Sequence, residues 1–155
     1  MDFKTIISFF HLLATVIWIG GMAYFILILS PSLIAIEPPQ REKLTAMAAK
    51  RFAITAWICI LVLIITGLLM TPKGIYFNLH ETFGLLINIK ILLFIIMLVV
   101  GIIVATVLFP IMKKLSPKPG EKPSAGFIKI QKRMSLLALI NLILGILILL
   151  IMSFI

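Results

Sequence analysis

The chain is poor in the residues on which most site chemistry depends. It holds one cysteine among 155 residues, which excludes an internal disulfide and any zinc site built on thiolates. That cysteine, Cys59, lies inside an apolar run and reads as a small core residue. Acidic residues number 5 against 14 basic ones. All five stand at run ends or in loops, so the aligned acidic pairs of a proton pump are missing. There is no glycine loop for phosphate, no HExxH and no nucleophile elbow, and an ATP-driven activity would need a partner chain. No soluble domain and no internal repeat is visible in the sequence.

What the chain does have is hydrocarbon. It is 63% hydrophobic and 12% charged, with a mean hydropathy of +1.27, whereas a soluble domain is near half apolar and a quarter charged. The lipid bilayer is therefore its solvent and its first partner. Backbone groups without partners cannot stand in lipid, so helices or a closed barrel must follow, and apolar runs that do not alternate select helices. The expected fold is all-α: an integral membrane four-helix bundle, a single transmembrane domain over 1–155 with antiparallel neighbours. The spans fall near 5–29, 52–70, 83–109 and 134–154.

The net charge of +9 would suggest nucleic acid in a soluble protein. Here the basic residues cluster between spans, so topology explains them and no nucleic-acid partner is implied. The loop over about 31–51 carries Arg41, Lys43, Lys50 and Arg51; the loop over about 110–133 carries Lys113, Lys114, Lys118, Lys122, Lys129, Lys132 and Arg133. The second loop has only Lys73 and the N-terminus only Lys4. Basic loops stay cytoplasmic, which places both termini outside a prokaryotic inner membrane. The first run is too long for a cleaved signal and is expected to be retained.

Local signals set further expectations. The first span should stop at Ser30-Pro31, and a new helix should start at Glu37-Pro38-Pro39, where proline suits the first turn. Gln40 to Arg51 suits a short surface helix feeding the second span. Thr71-Pro72-Lys73-Gly74 signals a turn. Gly101 and Ala105 form a small-xxx-small spacing that admits a close neighbour. The segment KKLSPKPGEKPSAGFIKIQKR reads as a solvated connector.

Few side chains can carry chemistry. His11 is the only histidine inside an apolar run, and it shares a helical face with Thr15, Trp18, Met22 and Phe25. An ionisable group there is a functional candidate by default. Either it bonds to a neighbouring helix, through a Thr or a backbone carbonyl, or it ligates haem iron or copper. Counting inward from the outer ends puts His11 roughly 10 Å and Lys90 roughly 13 Å deep, with Thr66 close to that level. Lys90 either snorkels to the headgroups or serves as a neutral amine on iron or a cation beside a propionate. Asn88 points about 200° away from Lys90. His80 beside Glu81 is a solvated edge residue or a further metal ligand. Trp18 and Trp57 are packing residues, with Trp18 also a candidate haem wall. Asn141 is a packing or interhelical hydrogen-bonding residue. The eight methionines are scattered and read as core filling, although thioethers such as Met70 suit Cu(I).

The segments HLLATVIWIGG, AWICILVLIITGLL and FGLLINIKILLF resemble the copper-resistance D (CopD) membrane family. The matching features are His followed by Trp-x-Gly-Gly, Thr-Gly late in the next span, and a lysine embedded in apolar sequence. The chain is also similar to the HemJ-type protoporphyrinogen oxidases, which have four spans, a His in the first and a Lys in the third. That resemblance implies b-type haem held by His11 and Lys90. After the Trp, HemJ-type chains continue with an AGLFYLPRLFVYH-like segment, where this one has GGMAYFILILSPS.

Three readings follow. In the first, haem b or a porphyrin sits in the outer half, lined by His11, Lys90, Trp18 and Thr66, and serves a membrane oxidoreductase of protoporphyrinogen-oxidase type with a redox partner. In the second, implied by the CopD resemblance, His11 with His80 or Met70 binds copper for transport or resistance. In the third, the polar residues only fix helix register in a structural subunit. Four helices enclose little volume, so a homodimer is expected in each case.

Overall fold

The computed structural model describes residues 2–117 and 121–154. Lys118, counted above among the basic loop residues, lies outside them. The fold class is the expected one: all-α, with four helices long and apolar enough to cross a membrane. They are α1 (Phe3–Ala35), α2 (Pro38–Met70), α3 (Thr82–Lys114) and α4 (Ala125–Met152). The chain divides into two compact units, Met1–Asn78 and Leu79–Ile155. Each is one helical hairpin.

In the first hairpin, Asp2 precedes α1 in an extended conformation. The helix does not stop at Ser30-Pro31. Residues Phe25–Leu29 wind as a π turn, and the helix then runs through Pro31 to a final 3₁₀ turn at Leu33–Ala35. Proline lacks an N–H and its ring crowds the carbonyl four residues back. The wider turn makes room for it, and the Ser32 hydroxyl donates to Ile28 O at 2.7 Å. Within a membrane such local adjustments keep the freed backbone groups satisfied. α2 then starts at Glu37-Pro38-Pro39 as expected, and the basic segment joins the second span without a break. After α2, a 3₁₀ turn at Lys73–Ile75 leads to Phe77, whose φ of 63° turns the chain back.

The helices of this hairpin run antiparallel, because His11 meets Thr66 while Gly21 meets Phe52. Their facing sides are Ile7, Ala14, Trp18, Ile19 and Met22 on α1 and Cys59, Ile60, Leu63 and Thr66 on α2. Trp18 packs inside as expected, but Trp57 is exposed on the outer face of α2. A Cβ on Gly21 would stand 2.6 Å from the Phe52 ring, so glycine is what admits that ring to the seam.

In the second hairpin, α3 repeats the device of α1. A π turn at Val104–Leu108 precedes Phe109-Pro110, and the helix continues to Lys114. α4 begins at Ala125, nine residues earlier than the apolar run suggests. The Ser124 hydroxyl accepts from Phe127 N at 3.2 Å and caps it. Phe127 is buried and, with Ile130 and Met134, continues the apolar face toward the start of the helix. Much of the expected connector is therefore helix. Asn141 Nδ2 donates to Met97 O across the seam at 3.3 Å, as its sequence position suggested. Gly101 does not serve the close approach its spacing suggested: nothing described lies within 4 Å of a Cβ placed there.

The hairpins are built to one plan. Moving 79 positions along the chain carries α1 onto α3: the π turn at Phe25–Leu29 onto Val104–Leu108, Pro31 onto Pro110, and buried Trp18 onto buried Met97. Moving 82 positions carries the buried set of α2 (Cys59, Ile60, Leu63, Thr66) onto four of the five buried residues of α4 (Asn141, Leu142, Gly145, Ile148). The pair Lys50-Arg51 falls on Lys132-Arg133, and Met70 on Met152. In each hairpin the basic pair stands twenty residues before the residue that ends the helix, Arg51 to Thr71 and Arg133 to Ser153. At 1.5 Å per residue that is about 30 Å, the thickness of a hydrocarbon core. A repeat hidden in the sequence is thus plain in the structure.

Candidate functional site

The first hairpin brings two of the expected site residues together. His11 Nδ1 lies 2.7 Å from Thr66 Oγ1, and Thr66 Oγ1 lies 2.6 Å from Val62 O. Both contacts are hydrogen-bond distances and each needs one proton. The Val62 carbonyl can only accept, so the single hydroxyl proton of Thr66 must point at it. The imidazole must then donate, which puts its proton on Nδ1 and leaves the lone pair on Nε2. A chain of imidazole, hydroxyl and carbonyl therefore fixes both the tautomer and the ring plane. Ligating histidines are usually held in this way, the other ring nitrogen donating to an oxygen that orients the ring.

Backbone features complete the site. Gly67 leaves one side of the ring open: a Cβ there would stand 3.7 Å from His11 Cε1, an ordinary contact, whereas a longer side chain would push the ring aside. The Thr15 hydroxyl donates to His11 O at 2.8 Å. Thr66 is buried and His11 is partly exposed. Sequence reasoning put His11 and Thr66 at one level but missed the Val62 carbonyl and Gly67. The Thr-Gly dipeptide was the available signal for the latter.

The other named residues fall as follows. Trp18 is buried two turns from His11 on the same face of α1, in register with the turn of α2 around Cys59. Met70 stands one turn beyond Thr66 on α2 and is exposed. Lys90 and His80 belong to the second unit. His80 is exposed immediately before the first turn of α3, and Lys90 is partly exposed within that helix. Asn88 donates to Gly84 O at 2.8 Å and so turns back on its own helix. Among the described residues, no three or more His, Cys, Asp or Glu side chains stand together as a metal site. What the first hairpin offers is one oriented imidazole on α1, with the Met70 thioether one turn beyond its partner Thr66 on α2.

A family model described as copper resistance protein D matches residues 46–155. The matched stretch holds Thr66, Met70, His80 and Lys90 and begins after His11. No curated protein and no solved structure matches the chain. The likeness to HemJ-type oxidases, and with it haem and a redox role, finds no support in these comparisons.

Proposed function

This chain belongs to the copper resistance protein D family of multi-pass membrane proteins, and we propose that it binds copper as cargo, with His11 as the receiving ligand. The observation that carries the reading is the proton count along His11, Thr66 and Val62, which puts the ring proton on Nδ1 and so makes Nε2 the ligating nitrogen we assign. A thioether suits Cu(I), and Met70, one helical turn outward on the facing helix, is the second ligand we assign. A thioether paired with a single imidazole favours the cuprous ion over the cupric, which prefers several nitrogen and oxygen donors in a plane. Copper held by two ligands can enter and leave, as a cargo must.

The basic segments at the start of α2 and between α3 and α4 give the direction we assign: both loops toward the cytoplasm, both termini outside, in the inner membrane. His11 then lies in the outer half, five residues inward of Thr71 by its partner Thr66, or about 7.5 Å. Copper would be met from the outside. The test is Cu(I) titration of the purified protein against a chromophoric chelator. Wild type is expected to hold one equivalent and His11→Ala none. A colourless wild type that never competes for Cu(I) would sink the proposal, as would a Soret band in the isolated protein that disappears in His11→Ala.

A further inference from the structure

The shared plan of the hairpins makes a specific pairing that the sequence conceals. The shift that carries the π turn and proline of α1 onto those of α3 carries His11 onto Lys90. The shift that carries the buried face of α2 onto that of α4 carries Thr66 onto Ile148, and Val62 onto Leu144. The register inside the second hairpin agrees. Asn141 meets Met97, and seven residues toward the same end on each helix stand Ile148 and Lys90. Depth agrees too, each hairpin being measured within itself. Thr66 is five residues from Thr71, and Ile148 is five residues from Ser153. Both positions are about 7.5 Å inside a helix end that stands about 30 Å from its basic pair.

The chemistry at the two positions differs in one respect. Position 11 carries a neutral ring whose lone pair can take a cation. Position 90 carries a cation already, on a flexible stem, opposite an apolar Ile148 that offers it no hydrogen bond. Among the described residues Lys90 makes no hydrogen bond and no ion pair. We propose that Lys90 is the resident cation of the second repeat: its ammonium takes the place that a soft metal cation takes at His11. One chain would then carry one metal equivalent, and the second hairpin would hold a latent copy of the site. The idea rests on His11 being the copper ligand argued above. It goes further in assigning Lys90 the role of limiting stoichiometry rather than that of a ligand.

The test is to rebuild the site. Lys90→His with Ile148→Thr restores the imidazole, the hydroxyl and, at Leu144, the carbonyl. The variant is expected to bind two equivalents of Cu(I) where wild type binds one, and to keep one when His11→Ala is added. Nitrogen NMR of labelled imidazoles should show the ring at position 90 protonated on Nδ1, as at His11. A folded double variant with no added metal and a tautomer-averaged ring at position 90 would overturn the proposal. If wild type takes up no Cu(I) but that ring is held in the Nδ1–H form, copper as cargo is refuted while the equivalence of positions 11 and 90 is upheld. The reciprocal variant, His11→Lys with Thr66→Ile, guards against misfolding of the first. It should insert with unchanged helix content and bind no metal, and its loss to aggregation would count against the equivalence.

Discussion

In the first hairpin a hydroxyl on α2 meets a ring on α1 and every proton between them has a place. In the second, the amide of Asn141 on α4 meets a backbone carbonyl of α3 through its nitrogen, and its oxygen is left over. That oxygen, Oδ1, is buried and has no hydrogen-bond partner among the described residues. Turning the amide over would not help, because Met97 O accepts and would then face another acceptor. The same seam geometry thus supports a closed polar chain in one unit and half of one in the other. A hydroxyl donates and accepts through a single atom, so it can sit between two partners in a narrow seam. An amide separates the two functions by more than 2 Å and needs a partner on each side. Polar content alone does not mark a site in a bundle. What marks it is closure.

The largest effect should come from the ring itself. His11→Ala is expected to abolish Cu(I) retention, read by chelator competition, while helix content stays as in wild type. Next comes the orienting hydroxyl. Thr66→Val keeps the shape but removes the acceptor, and a 10–100-fold loss of copper affinity is expected, as for other outer-shell partners of ligands. Thr66→Ser should keep most of it. If Val and Ser behave alike, the closed chain has no functional weight and the contrast between hairpins is only steric.

In the second hairpin the sign should reverse. Asn141→Leu removes a buried acceptor that lacks a donor, and Met97 O keeps its place in the helix ladder. The variant should be as stable as wild type or more so, by up to about 2 kcal/mol in thermal unfolding. A clear loss of stability would mean that Oδ1 is satisfied in the membrane and that the two seams are more alike than they look. The smallest effect lies within the first seam. Gly20→Ala enters open space and should gain up to about 1 kcal/mol of helix propensity. Gly21→Ala must displace the Phe52 ring and should forfeit that gain.

Much of this is legible in the sequence. Hydropathy and run length located all four spans, since lipid leaves a chain few alternatives. The level shared by His11 and Thr66 followed from counting residues inward from helix ends. The helix through Pro31 did not, because a π turn is a backbone adjustment without a residue signature of its own. The early start of α4 was masked by Lys129, Lys132 and Arg133, which read as connector although Ser124 supplies a cap. The repeat was hidden because its positions hold unlike residues: histidine and lysine, threonine and isoleucine, cysteine and asparagine. The basic pairs, the prolines and the terminal methionines survive in kind, and the other identities are Leu, Ile and Ala, which any span is rich in.

The twenty-residue interval between basic pair and helix end acts as a ruler, and both hairpins carry the same one. A bilayer thicker than the ruler must be met by thinning of the lipid or straightening of the helices, and a thinner one by tilt, at a fraction of a kcal/mol per Å. Because the two intervals are equal, neither hairpin can relieve the mismatch while the other stays comfortable. The distance from His11 to the outer water would then follow acyl-chain length. Vesicles made from lipids of graded chain length should shift the rate of metal uptake while leaving the ligands untouched.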